Sequence, residues 1–435
     1  MFWSSTCEAD DAPDSPGSPL AGVANVRLPA WLLPADWPQQ QGEPVAADIR
    51  FADGRIASLN PAQHDQTDLW DLQGTLALPG LIEPHAHLDK TFTIGRSRPA
   101  RPGLLAAIET LHQDRQHWTA EDLHQRAAQG LSWAASHGVS LLRSHIDWFE
   151  PTPPLAWHEL ASLHQPGVTL QRVALAPLGF FADADAADRI ARAVAQSGEH
   201  CLLGGFVHSS NWDPAAMANL MHSAARWGLD VDLHIDEELS ETANGLVWLA
   251  DFLSENAFNG HICCSHGCAL ASGSEQQAKA VLSKLAKHRV TLIALPMTNL
   301  LLQDAVVGQT PRQRGITLVK EAQAAGIPVM LGCDNVQDAF CPAGSYDPLD
   351  TLSCGLFALQ LDRVFDQQSQ LICSAAALTG AASDLPLAVG SPASLVLFPG
   401  SDSATWPLNS AARVVIHHGK LTFQRTWNAE CCYES

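Results

Sequence analysis

Eight short apolar, β-branched runs alternate with helix-period stretches through the middle of this chain, and that alternation limits its fold more than any other feature. The runs are TLALPGLIEPH, GVSLLRSHID, LQRVALAPLG, LLGGFVH, LDVDLHIDE, HICCSHG, VTLIALPM and IPVMLGCDN. Between them lie stretches such as AADRIARAVAQSG, DPAAMANLMHSAARWG and RQRGITLVKEAQAAG. A continuous apolar strand followed by an amphipathic helix is a βα unit, whose parallel sheet is covered on both faces. Eight units in series predict an α/β fold, a (β/α)8 TIM-like barrel over residues 76–384. The alternative is an open doubly wound sheet. It is weakened because no GxGxxG turn follows the first strand.

Both ends of the chain read differently. From Val23 to Asp71 there are short apolar pieces broken by Pro, Gly and Asn, with Asp53-Gly54 as a hairpin turn between two of them. Near the C-terminus, ASLVLFPG and ARVVIHHGKLTFQRT repeat the pattern, with His418-Gly419 as the turn. Residues 23–75 and 385–435 are therefore expected to meet in one small β-sandwich beside the catalytic barrel, with residues 1–22 as a flexible arm. That arm has neither a basic start nor an apolar core, so it does not read as a secretory signal.

Charge narrows the partners. Of 435 residues, 25 are Lys or Arg and 46 are Asp or Glu, a formal net charge of −21. Nucleic acid and anionic membrane surfaces attract basic patches, so neither is expected as a partner. No apolar run reaches the 18 or so residues of a membrane span. The eleven cysteines form no CxxC pair, and Cys263, Cys264 and Cys333 sit inside apolar runs. Buried, reduced thiols in a cytoplasmic protein follow from that pattern, with Cys431 and Cys432 in the tail as candidates for exposure.

The polar residues cluster where a barrel does its chemistry, at the C-terminal ends of the strands. The first strand ends in His85-Ala86-His87, the second in His145 and Asp147, and the fifth in His234, Asp236 and Glu237. The sixth ends in His266 and the eighth in Asp334 and Asn335. On a strand, residues i and i+2 face the same side, so His85 and His87 can chelate one ion. A third His and a carboxylate from other strands would complete a site with a position open to water. No HExxH and no zinc-finger spacing of cysteines competes with this reading.

The segments PGLIEPHAHLDKTF, RSHID, DLHIDE, SHGCAL, PRQRGITLVKEAQAAGIPVMLGCDNVQDAF and GSPASLVLFPG resemble the amidohydrolase superfamily, and within it the cytosine deaminase-like group. The resemblance runs from about Val23 to Phe423 and is densest at the strand ends. It implies a distorted (β/α)8 barrel beside a β-sandwich built from both chain ends. It implies that His85, His87, His234 and Asp334 bind one divalent ion, zinc or iron(II). It makes Glu237 the acid that protonates the ring nitrogen beside the reacting carbon. It makes His266 the imidazole that orients the attacking water, and Asp334 also the carrier of a proton to the leaving amine. Two-metal relatives use a carbamylated Lys from the fourth strand as a bridge. This chain has no Lys between Lys90 and Lys279, so a one-metal site is expected.

The departures from the pattern surround the substrate. Cytosine deaminases read the base with a Gln after the third strand, where this chain has Pro177 in LAPLG. Asn335 stands where they have Asp, and Lys90 where they have Thr. Lys90 either meets a substrate carbonyl or carboxylate or pairs with Asp89 or another acid. Phe340 either packs on the substrate ring or anchors its loop. Trp148 and Phe149 are expected to line the pocket, and Gln303 keeps a family position after the seventh strand. The expected function is metal-dependent deamination of a small pyrimidine, purine or triazine-type heterocycle, a metal-activated hydroxide displacing ammonia. The alternative is hydrolysis of another C–N bond, an N-alkylamino group or a cyclic amide, by the same machinery. A barrel that only binds its ligand is a third reading, disfavoured by the complete set of reactive residues. A homo-oligomer is allowed by the resemblance, though no heptad or apolar patch in the sequence specifies one.

Overall fold

The computed structural model describes residues 17–38, 44–63, 67–381, 385–408 and 410–425. Most of the expected arm, and Cys431 and Cys432, lie outside the described residues. The part of the arm that is described is tied down. Gly17 N donates to Leu421 O and Leu20 N to Gly419 O, both at 2.8 Å, which corrects the expectation of a free arm up to residue 22.

Eight parallel strands form the barrel: β6 (Leu81–Ala86), β7 (Val139–Asp147), β8 (Thr169–Pro177), β9 (Cys201–Val207), β10 (Val231–Ile235), β11 (Ile262–His266), β12 (Val290–Ala294) and β13 (Val329–Leu331). They follow in sequence order around the sheet. Every residue of β10, β11 and β12 is buried, as expected of strands covered on both faces. Helices such as Ala184–Ala195, Pro214–Trp227 and Glu275–Leu285 fill the crossovers. Each starts on a side-chain cap, from Asp183, Asp213 and Ser274 respectively, which satisfies an otherwise orphaned backbone N–H.

The barrel closes at the chemistry. Ala86 and Asp334 form the bridge between the first and last strands, and Asp334 N donates to His85 O at 2.8 Å. Below that bridge the carboxyl of Glu83, fully buried, accepts from His85 N at 3.1 Å and Cys333 N at 3.1 Å. Burial raises its pKa to about 8. A side chain thus supplies the acceptors that a closed ladder would have provided.

The second sheet comprises β1 (Gly22–Leu28), β2 (Val45–Ala52), β3 (Arg55–Pro61), β4 (Trp70–Asp71), β5 (Leu76–Pro79), β14 (Leu395–Phe398), β15 (Arg413–His417) and β16 (Lys420–Arg425). Its order is β16-β15-β14-β5-β1-β2-β3, with β4 on β1, so both chain ends share one mixed sheet. Asp53-Gly54 and His418-Gly419 are turns with positive φ throughout, and the two turns touch. One boundary differs from expectation. TLALPGLIEPH is two strands, because β5 pairs with β14 in the small sheet and β6 enters the barrel. The break falls at Gly80, where a Cβ would stand 2.6 Å from Ser140 Oγ. The largest of three apolar clusters among the described residues joins the two sheets. Among the described residues no helix is long and apolar enough to cross a membrane.

Candidate metal centre and its cavity

The β6, β10 and β13 ends bring His85, His87, His234 and Asp334 together, with one ligand atom from each lying within 4.8 Å of the others. His234 Nε2 lies 3.1 Å from His85 Nε2 and 3.2 Å from His87 Nε2. Asp334 Oδ1 lies 3.1 Å from His87 Nε2 and 3.5 Å from His85 Nε2. Three imidazole nitrogens and one carboxylate aimed at a common point are a donor set suited to a divalent ion such as zinc. The protonation states agree. Burial, reinforced by His145, drives His85 down to about 3. Burial also holds His87 and His234 well below the usual imidazole value, helped by Lys90 at the first and His85 at the second. At Asp334 burial opposes ionisation, but the close imidazoles of His85 and His87 outweigh it and hold the carboxyl well below its usual range. Neutral imidazoles and an ionised carboxylate are the ligand forms. Among the described residues neither oxygen of Asp334 has a hydrogen-bond donor of good geometry, and Nδ1 of His87 and Nδ1 of His234 have no hydrogen-bond partner.

An outer layer orients this cluster. His85 Nδ1 meets Ser265 Oγ at 2.8 Å, and Ser265 Oγ lies 3.4 Å from Asp232 Oδ1. Asp232 is gripped by Arg143 at 2.6 Å and faces His145 Nε2 at 3.2 Å. With Ser265 engaged at Nδ1, the Nε2 of His85 is left for the cluster, the usual support for a ligating imidazole. Sequence reading found His145 but missed Ser265, Arg143 and Asp232. The i, i+2 spacing of Asp232 and His234 was the available signal.

Glu237 and His266 stand beside the cluster. Glu237 is 4% exposed, and burial raises its carboxyl to about 7 despite the opposing pull of His266. Its Oε1 is 3.6 Å from His266 Nδ1. That nitrogen also meets Asn299 Oδ1 at 2.9 Å, while His266 Nε2 has no hydrogen-bond partner among the described residues. His266 and Asp334 both adopt positive φ, 70° and 62°. Such non-glycine conformations cost about 1–3 kcal/mol each and persist where the surroundings enforce them, often at functional sites.

These groups open onto a cavity of about 120 Å³ lined by His87, His234, Glu237 and Asp334 and by mostly apolar side chains. Lys90, Trp148, Asn335 and Phe340 line it as expected, and so do Phe149, Pro177 and the unforeseen Leu104, Ile108 and Leu111 of one helix. Asn335 is held by Asp338 at 2.7 Å. Lys90 pairs with Asp147 at 2.6 Å, while Asp89 accepts the backbone N–H of Asp147. Gln303 is not on the cavity wall. Its amide donates to the backbone carbonyl of Glu237 at 3.2 Å, behind the acid. A wider depression of about 800 Å³ lies around Trp31, His261 and Arg289, near the N-terminal ends of β11 and β12. Barrel enzymes carry their chemistry at the other face.

Comparisons with known proteins agree with this geometry. A model described as the amidohydrolase family matches residues 155–423. A pterin deaminase from Rhizobium rhizogenes is 33% identical over 410 residues, covering 92% of this chain and 93% of that protein. The N-isopropylammelide isopropyl amidohydrolase of a Pseudomonas species is 24% identical over 376 residues, 81% of this chain and 87% of the other. Among solved structures, 5-methylcytosine deaminase from Klebsiella pneumoniae, bound to phosphonocytosine, superposes with a TM-score of 0.80. It has 26% identity and covers 94% of this chain and 99% of its own.

Proposed function

We propose, from the premise that this chain belongs to the amidohydrolase family, that it hydrolyses the exocyclic C–N bond of an aminated nitrogen heterocycle and releases ammonia. The observation that carries this is that three residues of the four-ligand cluster, His87, His234 and Asp334, share the wall of one small cavity with Glu237. The relatives named above as deaminases of pterin and 5-methylcytosine support the choice of bond. His85, His87, His234 and Asp334 would hold one divalent ion, zinc or iron(II). When bound, it supplies Lewis acidity that can bring the pKa of water from 15.7 to about 7.

The remaining work falls to the chain. Glu237, with its carboxyl raised by burial, holds a proton to donate to the ring nitrogen next to the amine-bearing carbon. His266 offers the free Nε2 that orients the water. Asp334 accepts one water proton and passes it to the departing amine. The balance is complete: a C–O bond forms, the C–N bond breaks, one water proton leaves in ammonia, the proton of Glu237 stays on the ring nitrogen, and the second water proton replaces it on Glu237. Asn299 and Gln303 hold His266 and Glu237 in place.

Ammonia release across aminated pterins, pyrimidines, purines and triazines, with metal-loaded protein, tests this. Ammonia from at least one ring class is expected. An alkylamine as the main product would favour the alternative chemistry, for which the Pseudomonas relative is the precedent. No product from any compound would leave a barrel that only binds.

Two narrower expectations arise here. Cytosine should be a poor substrate, because Pro177 removes the amide that reads it. Losing one buried hydrogen-bond partner costs about 1–3 kcal/mol, or roughly 5- to 150-fold in kcat/KM. Cytosine ranking first in the panel would show that another group has taken over that task. Ser265→Ala should weaken metal binding about 10- to 100-fold by freeing His85 Nδ1. Competition with a chromophoric chelator measures it, and an unchanged affinity would dismiss Ser265 as an orienting group.

Residues 81–384 are read as the catalytic unit and 23–79 with 385–435 as its β-rich companion, the boundary standing at Gly80 and not at residue 75. A cytoplasmic setting is part of the proposal, supported by the eight described cysteines, all free thiols.

A further inference from the structure

The cavity wall holds an ion pair that no step above uses. Lys90 Nζ lies 2.6 Å from Asp147 Oδ2, and both residues line the cavity with Pro177, Asn335 and Phe340. Lys90 is 3% exposed, and its ammonium stands 5.1 Å from the centre of the Phe340 ring. Burying such a pair is repaid only if further hydrogen bonds satisfy its remaining donors and acceptors. An ammonium carries three donors and a carboxylate about four acceptor positions, so one contact between them uses a fraction of that capacity. Much of the surrounding wall, including Leu104, Ile108, Leu111 and Leu175, is apolar. Asn335 is already engaged with Asp338.

The position of the pair matters as much as its chemistry. Asp147 and Leu175 are register partners on β7 and β8, and Pro177 lies two residues further along β8. The strand end from which an amide was expected to reach the ring therefore offers no donor. The neighbouring strand offers a carboxylate beside an ammonium. A primary amide presents one donor and one acceptor side by side, and a Lys–Asp pair does the same with charged groups, which form stronger hydrogen bonds. The complement of either is a ring edge that carries –NH–CO–.

We propose that Lys90 and Asp147 together read a lactam edge of the substrate, the ammonium donating to the ring carbonyl and the carboxylate accepting from the adjacent ring N–H. This rests on the deaminase reading and narrows it to amino-oxo heterocycles in which the lactam N–H is bonded to the amine-bearing carbon, as in pterin. In cytosine the carbonyl and N–H follow the amine in the opposite order, so the pair does not replace the amide that Pro177 removes. Phe340, under the ammonium, helps fix its position.

Pterin and its O-methyl lactim ether are the probes. The ether keeps the amine and loses both the N–H and the C=O. Dissociation constants for both are measured by fluorescence titration of metal-loaded protein, with ammonia release recorded in parallel. The parent should bind pterin at least about 100-fold more tightly than the ether, as sites built around a substrate hydrogen bond do. In Lys90→Met/Asp147→Leu the preference should fall below about 10-fold, with metal content unchanged. If that double variant does not fold, Lys90→Met alone should lose at least about 10-fold of the preference, since one of two charged contacts is gone. A parent that binds both probes equally, or neither, overturns the proposal. So does a folded variant that keeps the parental preference. A preserved preference without ammonia release would sink the deaminase reading and leave this one standing. Ammonia release without a preference would do the reverse.

Discussion

Glu237→Gln should bind metal as the parent does and turn over substrate at least about 100-fold more slowly, and up to about 10⁴-fold, the range that general acid catalysis contributes. The reason lies in what Glu237 touches. It lines the cavity, it does not belong to the four-ligand cluster, and burial raises its carboxyl to about 7. A carboxylic acid in that state can hand over a proton near neutrality. Gln matches it in size and still donates and accepts hydrogen bonds, but it has no proton to transfer. The fold should be untouched, since Gln303 holds the backbone carbonyl of residue 237 and not its side chain. Metal analysis and steady-state kinetics on the same preparation are the check. A variant that loses its ion, or keeps more than about a tenth of parental turnover, removes Glu237 from the acid's role. Asp147 and Asp236 would then be examined, although Asp236 is already committed to capping the helix Gly245–Glu255 through two backbone N–H groups.

Asp334→Asn should lose metal and activity together. Asp334 is the one carboxylate in the cluster of four, its charge is favoured by the close imidazoles of His85 and His87, and it is assigned the proton shuttle as well. Asn tolerates the left-handed backbone that residue 334 adopts at φ 62°. The barrel-closing bond from its N–H to His85 O is made by the backbone. Misfolding is therefore not the expected outcome. Metal affinity should fall by more than about 100-fold, beyond the 10- to 100-fold that loss of an outer orienting partner brings. The parent should retain one ion per chain after gel filtration, and added zinc should raise its Tm through binding to the folded state. The variant should show neither effect. Two tightly held ions in the parent would contradict a single-ion site. Parental metal content in the variant would strike Asp334 from the ligands.

The legible and the illegible parts of this protein divide by distance along the chain. The alternation of apolar runs with helix-period stretches is a local property, because burial on both faces of a parallel strand demands near-continuous apolar residues. It therefore appears in the sequence without any knowledge of partners. The strand-end placement of His85, His87, His234, Glu237, His266 and Asp334 is local for the same reason: each falls at or just past the last residue of a readable strand. The turns Asp53-Gly54 and His418-Gly419 were equally visible, since left-handed backbone favours such residues.

What local pattern could not supply was the neighbour of each side chain. TLALPGLIEPH reads as one strand, and only the pairing of Leu76–Pro79 with β14 shows that it serves two sheets. Gln303 resembles a substrate ligand by position in the sequence, yet packing turns its amide to the carbonyl of Glu237. Lys90 was open between substrate and a nearby acid, and the structure gives it Asp147, 57 residues away along the chain, not its neighbour Asp89. Ser265, Asp232 and Arg143 support His85 from three different strands. The sequence by itself determined the architecture and the ligand types, because these follow from periodicity and residue chemistry. The tertiary structure alone decided which donor meets which acceptor, because strand register and barrel closure bring together atoms that no spacing along the chain relates.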